Sequence, residues 1–247
     1  MEEVKVYSRA SSIPKNPYIG FCPGCMHSTT FKVIAEVLDE LGIVDKTIEC
    51  NGVGCSGLGL GYVYLDNVFC AHGRACAVAT GIKRTNPDNI VFTYQGDGDG
   101  GSIGIAETIY AANRGENITM ILINNGTYGM TGGQMAPTTL VGQKATTAPW
   151  GRNPEEHGYP VHIAELLDSL TAPAYIARVA MNSVQNVRKA KACIKKAFQY
   201  QMEGKGFSYV EVMSNCPTNW GMSPLETLEY MEEHTLKEFK LGEIRAK

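Results

Sequence analysis

The stretch IVFTYQGDGDGG, residues 90–101, decides the fold of this chain. It begins with the apolar run Ile90 to Tyr94, which predicts a buried strand, and it passes directly into glycines and aspartates. Ser102 follows as a predicted N-cap for a helix that stops at Gly115. A strand that leads through glycines into a helix is typical of an α/β protein with a parallel sheet.

The same alternation continues on both sides of this stretch. A second buried strand is predicted from Ile118 to Ile123 and ends in Asn124-Asn125-Gly126. The fold class is therefore α/β, mostly parallel, with helices on both faces of the sheet. We expect one domain over 1–247, with an irregular arm at 1–21, a long loop at 129–160 and a helical tail at 223–247. The other predicted helices cover 28–41, 73–83, 162–170 and 183–203, and the other predicted strands cover 47–50, 175–179 and 207–212.

Composition excludes several classes of protein. The 247 residues have a net charge of −3 and no basic cluster, so we expect no nucleic-acid partner. The apolar run ITMILI is too short to cross a bilayer, and the first ten residues are polar and acidic, unlike a secretion signal. We therefore expect a cytoplasmic protein. Eight cysteines in a reducing compartment indicate metal or cluster ligation for some and buried thiols for the rest.

Two polar side chains follow neighbouring strands. Asp97 comes directly after the first strand and Asn125 ends the next, 28 positions later. That gap fits one crossover helix, so both side chains are expected at the same sheet edge. Mg²⁺ prefers hard oxygen ligands and keeps phosphate oxygens among them, and the glycines let backbone N–H groups approach a diphosphate. The alternative is a generic glycine turn plus an Asn-Gly turn.

Four cysteines lie in distinctive contexts. CPGC places Cys22 and Cys25 on one tight turn, Cys55 lies in GVGCSG, and Cys216 lies in NCPTNWG. A CxxC pair suits either an iron–sulfur cluster or zinc. Spacing alone does not select the remaining ligands.

Taken together, these motifs resemble a known family. GDG followed by NN resembles the motif of thiamine-diphosphate enzymes. With CPGC-x-H, GxGCSG, HGRA, NN-x-x-YG-x-T-x-GQ-x-x-PTT and CPT, the chain resembles the β subunit of 2-oxoacid:ferredoxin oxidoreductases, from residue 21 to residue 219. Met26 departs from the family pattern, which usually has glycine there.

The resemblance implies bound thiamine diphosphate and Mg²⁺, with Asp97, Asn125 and the carbonyl of Thr127 as metal ligands. It also makes His27 and His72 candidate catalytic side chains; the alternative is that each caps a helix. The residues implied to surround the cofactor are Gly54, Cys55, Ser56, His72, Gly73, Arg74, Gly96, Asp97, Gly98, Asp99, Asn125, Thr127, Tyr128, Thr131 and Gln134.

The resemblance further implies one [4Fe–4S] cluster on Cys22, Cys25, Cys55 and Cys216, beside the thiamine. Cys50, five residues before Cys55, is the competing ligand. A zinc site on the same cysteines is the alternative for the whole set.

The implied reaction is the CoA-dependent oxidative decarboxylation of a 2-oxo acid, with electrons passed to ferredoxin. The tail motif CPTNWGMSPLETLEYMEE looks most like enzymes for branched-chain 2-oxo acids such as 2-oxoisovalerate, and 2-oxoglutarate is the second choice. No motif supplies the glutamate that activates thiamine, and Glu107 is a poor geometric candidate. We therefore expect that glutamate from an α subunit, with γ and δ subunits as further partners. The rival interpretations are a non-oxidative thiamine decarboxylase and a zinc-stabilised scaffold subunit without catalytic activity.

Overall fold

A seven-stranded sheet runs through residues 8–247, which are the residues that the computed structural model describes. Six neighbouring strands are parallel, in the order β2-β1-β3-β4-β8-β7, and β9 adds an antiparallel edge beside β7. This confirms the predicted fold class. The strands of this sheet are β1 (Thr47–Asn51), β2 (Asp66–Phe69), β3 (Ile90–Gly96), β4 (Thr119–Asn124), β7 (Tyr175–Ala180), β8 (Ser208–Met213) and β9 (Gly242–Ala246), and a separate hairpin pairs β5 (Thr127–Tyr128) with β6 (Gln134–Met135).

Helices cover both faces of the sheet, because the central strands are apolar on both sides. One core packs β3, β4, β7 and β8 against the first and sixth helices, and the other packs the opposite face against the second, third and fifth. The helices are α1 (His27–Leu41), α2 (Ala75–Thr85), α3 (Ile105–Asn113), α4 (Pro154–His157), α5 (Ile163–Asp168), α6 (Val184–Met202), α7 (Pro217–Trp220), α8 (Pro224–Tyr230) and α9 (Leu236–Glu238).

Several helix ends follow from local sequence. Gly42 ends α1 with φ 64°, a left-handed conformation that glycine adopts without strain. Ser183 caps α6 by accepting the N–H of Asn186. Ser223 and Glu226 form a reciprocal capping box at α8. None of the helices within residues 8–247 combines the length and apolar character needed to cross a membrane.

Two predictions about these elements are wrong. Ser102 does not cap a helix: it lies inside a π-helical turn, Asp99–Ile103, because the chain becomes helical as soon as β3 ends. The tail is not helical to its end, since β9 follows α9 and pairs with β7. Residues 8–21 form turns without a helix or strand, as predicted for the arm, and residues 1–7 lie outside the described part of the chain.

Candidate functional site

A cleft opens at the carboxyl ends of β1, β3 and β4, with about 560 Å³ of empty space including its mouth. The structure also places Val53, Gly129 and the half-exposed Met130 on its wall, in addition to the predicted residues. The predicted residues that line the cleft are His27, Gly54, Cys55, Ser56, His72, Gly96, Asp97, Gly98, Asp99, Asn125, Thr127, Tyr128 and Thr131.

Asp97 lies at the base of this cleft and is only 1% exposed. Its carboxylate accepts the N–H groups of Gly98 and Gly126, each at 2.9 Å, and the hydroxyl of Thr138. Burial raises the pKa of Asp97 to about 7, and the hydrogen bonds oppose that rise. Among the described residues, no cationic side chain forms an ion pair with this carboxylate. The site therefore lacks a positive charge that a bound cation would supply.

The loop after β4 brings the other predicted metal ligands to the same place. Asn125 and Thr127 line the cleft beside Asp97, and the Asn125 side-chain oxygen accepts the N–H of Thr127 at 3.1 Å. The backbone carbonyl of Asn125 is fixed by the indole N–H of Trp220 at 3.2 Å. Asp97, Asn125 and Thr127 therefore bring a carboxylate, a carboxamide and a main-chain carbonyl close together, and these are the kinds of oxygen donor that Mg²⁺ prefers.

Glycine at 98 is required by packing. A Cβ there would lie 2.4 Å from the ring of Tyr128, whose hydroxyl donates to the Gly98 carbonyl at 3.0 Å. At Gly96 a Cβ would meet nothing within 4 Å, so the backbone is open to the cleft. Ser56 lines the same cleft, and its buried hydroxyl has no hydrogen-bond partner among the described residues. These groups fit a bound anion that comes close to the backbone.

His72 is oriented by a buried carboxylate. Asp99 accepts from the His72 Nδ1, from the Gly73 N–H at 2.7 Å and from the Gln95 side chain. An ionised carboxylate only accepts, so Nδ1 of His72 carries a proton and Nε2 stays available. The side chain of His72 does not cap α2, so the alternative role of a helix cap does not apply to it.

His27 is buried and hydrogen-bonds through Nδ1 to the hydroxyl of Tyr94 at 2.8 Å. It begins α1, but its side chain forms no capping hydrogen bond. Burial lowers the pKa of His27 to about 4, so the ring is neutral near pH 7. His27 is therefore suited to hydrogen bonding and not to pairing with an anion as a cation.

Three predicted cofactor residues do not line the cleft. Gly73 acts through its N–H to Asp99, and Arg74 instead pairs with Glu107. Gln134 is bonded to Thr131, whose carbonyl accepts the Gln134 amide at 3.0 Å. The family resemblance implies Arg74 as a cofactor residue through the motif HGRA, but in the structure the Glu107 carboxylate on α3 pairs with its guanidinium.

The four cysteines selected by the family motifs lie near one another, although three distant segments supply them. We call Cys22, Cys25, Cys55 and Cys216 the cleft thiols. Every pair among them interacts electrostatically. Among residues 8–247, no three Cys, His, Asp or Glu side chains are placed to hold a single metal ion. The cleft thiols are thus neighbours without forming a site for one ion.

The surroundings of the cleft thiols are tight. A Cβ on Gly129 would lie 3.3 Å from the Cys55 sulfur and 3.6 Å from the Cys216 sulfur. Asn219 donates to the Cys216 sulfur at 3.2 Å and to the Gly129 carbonyl at 2.9 Å. Burial, followed by repulsion from the other thiols, raises the pKa of Cys25 to about 12. Four thiolates therefore require positive charge between them, which a metal cluster provides.

A second group of cysteines lies in the core between the sheet and α2. We call Cys50, Cys70 and Cys76 the sheet thiols. Cys50 and Cys70 interact with each other, the Cys70 thiol donates to the Val68 carbonyl at 3.5 Å, and the Cys76 thiol donates to the Gln95 side-chain oxygen at 3.4 Å. The titratable neighbours of Cys50 are Cys70, Cys76 and Glu49, which lie away from the cleft thiols along the sheet. Cys193 is half-buried on α6, and all eight cysteines are free.

Sequence reasoning missed Tyr94 and Asn219. Tyr94 was counted as one apolar residue of β3, yet its hydroxyl needs a partner when buried, and His27 provides one. Asn219 stands three residues after Cys216 on α7, a spacing that brings the two side chains onto one helical face. The signal for Tyr94 is a hydroxyl inside a predicted buried strand, and the signal for Asn219 is an amide one helical turn after a candidate ligand.

Comparison with known proteins places this geometry in context. Residues 52–212 match the family described as thiamine pyrophosphate enzyme, C-terminal TPP binding domain. The chain is 48% identical over 225 residues to ketoisovalerate oxidoreductase subunit VorA of Methanothermobacter thermautotrophicus, covering 91% of this chain and 47% of that protein. It therefore spans about half the length of that relative.

Two further similar proteins are matched over a larger share of their own length. 2-Oxoglutarate synthase subunit KorB of Methanocaldococcus jannaschii is 37% identical over 232 residues, which cover 89% of this chain and 79% of that one. The solved structure of 2-oxoglutarate:ferredoxin oxidoreductase from Magnetococcus marinus, with 2-oxoglutarate, coenzyme A and succinyl-CoA bound, superposes with a TM-score of 0.76 at 30% identity. That superposition covers 94% of this chain and 75% of that chain.

Proposed function

Because this chain belongs to the family of 2-oxoacid:ferredoxin oxidoreductase subunits that carry a thiamine-pyrophosphate-binding domain, we propose that it binds thiamine diphosphate and Mg²⁺ in the cleft and serves oxidative decarboxylation of a 2-oxo acid. The observation that carries the proposal is the buried carboxylate of Asp97, which has no cationic partner among the described residues and lies beside Asn125 and Thr127.

In this proposal Asp97, Asn125 and the Thr127 carbonyl would hold the metal ion, which would supply positive charge for the diphosphate. The open backbone at Gly96 and the unpartnered hydroxyl of Ser56 would be available to the phosphate groups. When bound, thiamine diphosphate supplies the carbon that attacks the substrate carbonyl and accepts the electron pair left by CO₂.

The histidines have different tasks. Asp99 fixes the ring of His72, so its Nε2 can accept or donate one proton at a substrate oxygen. His27 is neutral and held by Tyr94, so it orients a polar group of cofactor or substrate by hydrogen bonding. Among the described residues, the carboxylates that line the cleft are Asp97 and Asp99, and both are engaged. We therefore propose that a partner α subunit supplies the activating glutamate, and that γ and δ subunits belong to the same assembly.

The cleft thiols are proposed to hold one [4Fe–4S] cluster. The mutual proximity of the four thiols and the position of Cys55 on the cleft wall support this, as does Asn219, whose side-chain N–H donates to the Cys216 sulfur. A hydrogen bond to a ligating sulfur also adjusts the reduction potential of a cluster. A cluster held by these thiols would supply one-electron transfer, so we propose ferredoxin as the electron acceptor and CoA as the acceptor of the acyl group.

For the substrate we propose a branched-chain 2-oxo acid such as 2-oxoisovalerate. The higher identity to the ketoisovalerate subunit than to the 2-oxoglutarate subunit supports it, and the half-exposed Met130 gives the cleft wall an apolar surface. 2-Oxoglutarate is the second choice. Eight free cysteines suit a reducing compartment, so we propose a cytoplasmic location.

Asp97→Ala tests the proposal. Loss of the carboxylate removes the charged metal ligand, so we expect the purified complex to retain less than about a tenth of the wild-type thiamine diphosphate, measured by fluorescence after conversion to thiochrome. Asp88→Ala, which changes an exposed acid in the turn before β3, is the matched control and should retain the cofactor. Wild-type thiamine content in Asp97→Ala would refute the assignment.

A further inference from the structure

A line of charged and polar side chains crosses three neighbouring strands and ends at the predicted metal loop. We call Glu165, Arg178, Glu211 and Asn124 the polar ladder. Arg178 Nε donates to Glu211 at 2.7 Å, and Asn124 Nδ2 donates to the other Glu211 oxygen at 2.8 Å. Toward the surface, the Arg178 guanidinium pairs with both oxygens of the half-exposed Glu165.

The inner part of the polar ladder is fully enclosed. Arg178 is 1% exposed and Glu211 is 0% exposed, and they face each other as register partners on β7 and β8. The ring of Phe239 covers the guanidinium at 5.3 Å. Removing two such charges from water is unfavourable, and apolar side chains at the same places often give equal or greater stability. The pair is therefore weak evidence for stability, and its fully enclosed geometry points to a role in positioning.

That task is indicated by where the polar ladder ends. Asn124 is the last residue of β4 and directly precedes Asn125. Its side chain is held by Glu211, and its backbone carbonyl accepts the N–H of Ser214 at 2.8 Å. β8 and the residue that follows it thus fix Asn124 by both its side chain and its backbone. The next residue is Asn125, which lines the cleft and whose side-chain oxygen accepts the N–H of Thr127.

We propose that Glu211, held in place by Arg178, is a positioning residue for the metal loop and acts through the amide of Asn124. This rests on the proposed function, because it assumes that Asn125 and Thr127 bind the metal ion. It assigns a role to charged residues that lie inside β7 and β8 and do not touch the cleft. Outer hydrogen-bond partners of metal ligands typically change metal affinity 10- to 100-fold when they are removed.

The test is a Mg²⁺ titration of the full chain, purified with its co-purifying subunits, at saturating thiamine diphosphate. Trp220 reports on the loop because its indole donates to the Asn125 carbonyl, and Trp150→Phe removes the other, 93% exposed tryptophan of this chain. Asn124→Leu, made in that background, keeps the Arg178–Glu211 pair and removes only the connection to the loop. We expect its Mg²⁺ half-saturation to rise about tenfold or more.

Two further variants separate positioning from general stability. Glu211→Gln leaves one acceptor oxygen for two donors, and the charged Arg178 takes it, so the Asn124 amide loses its acceptor and we expect the half-saturation to rise about threefold or more. Asp168→Asn removes a carboxylate that pairs with Arg245 at 2.8 Å, outside the polar ladder, and should leave the titration unchanged. Unaltered Mg²⁺ dependence in folded Asn124→Leu would overturn this inference alone. Absence of Mg²⁺-dependent thiamine diphosphate binding in wild type would overturn the proposed function and this inference with it.

Discussion

The cleft thiols and the sheet thiols are interleaved along the chain but lie in different surroundings. Cys50 and Cys55 are five residues apart, and yet Cys50 is enclosed between the sheet and α2 whereas Cys55 lines the cleft. The difference arises because side chains alternate along β1 and because the chain turns through glycines immediately after it. Strand face and strand end, and not distance along the chain, decide which cysteine is available to a cofactor.

The largest expected effect is on Cys216→Ser. Loss of one cleft thiol should remove the proposed cluster or convert it to a smaller one, so iron should fall from about four per chain toward three or fewer. Thiamine diphosphate should stay bound, because Asp97 and the metal loop are unchanged. Iron and acid-labile sulfide assays on anaerobically purified protein, with EPR of the reduced form, measure this change.

Cys193→Ser is the matched control for that variant. Cys193 is half-buried on α6, away from the cleft, so its iron content and EPR signal should equal those of wild type. An EPR spectrum of Cys216→Ser identical to wild type would show that another residue is the ligand. Zinc in place of iron in the wild-type protein would favour the scaffold alternative.

The same comparison shows which features the sequence could predict. The central strands were predicted because their apolar runs end in glycines or asparagines, as Ile90–Gly96 does. β2 and β9 were missed because β2 is exposed throughout and β9 carries charges, so neither shows the pattern of a half-buried strand. Both are edge strands of the sheet, so their side chains contribute little to the core and need not be apolar.

The sequence predicts the candidate site residues that belong to motifs, but it does not predict the buried charge pair that lies behind them. Asp97 and Asn125 were placed correctly at one sheet edge because parallel strands share their carboxyl ends. Arg178 and Glu211 were missed, although each stands as a single charge inside an otherwise apolar strand. Opposite charges in two buried strands indicate a pair, but the register that joins them exists only in the folded sheet.

The substitution of Glu49 tests the alternation of side chains along β1, and its expected effect is smaller than that of Cys216→Ser. It precedes Cys50, is buried, and accepts the Asn51 amide at 3.1 Å. Burial raises the pKa of Glu49 from 4.5 to about 8, so between these pH values the folded chain keeps a proton that the unfolded chain releases. The free energy of unfolding should therefore fall as pH rises through this window. In Glu49→Gln that fall is removed, so the unfolding temperature relative to wild type should be several degrees higher at pH 8 than at pH 5.

Glu40→Gln is the control with the opposite sign. Hydrogen bonds from Lys195 and Lys191 lower the pKa of Glu40, so its contribution is present above pH 4.5 and is lost as pH falls. Solvent screening keeps that contribution small. Thermal unfolding monitored by circular dichroism compares the variants. An equal shift for Glu49→Gln at both pH values would mean that Glu49 is charged in the folded protein.

The smallest expected effect is that of the substitution Cys50→Ala. This variant shows whether the cluster ligand comes from the sheet thiols or from the cleft thiols. If Cys50 is only a small core residue, its replacement should destabilise the fold by about 1 kcal/mol and leave iron and sulfide unchanged. Cys55→Ala is the matched variant five residues later, and it should lose iron while the core stays intact. If iron fell in Cys50→Ala and not in Cys55→Ala, β1 would have to present its other face to the cleft. A one-residue shift of that kind would also move Glu49 and Asn51, so the two cysteine variants test the register of the strand as well as the identity of the ligand.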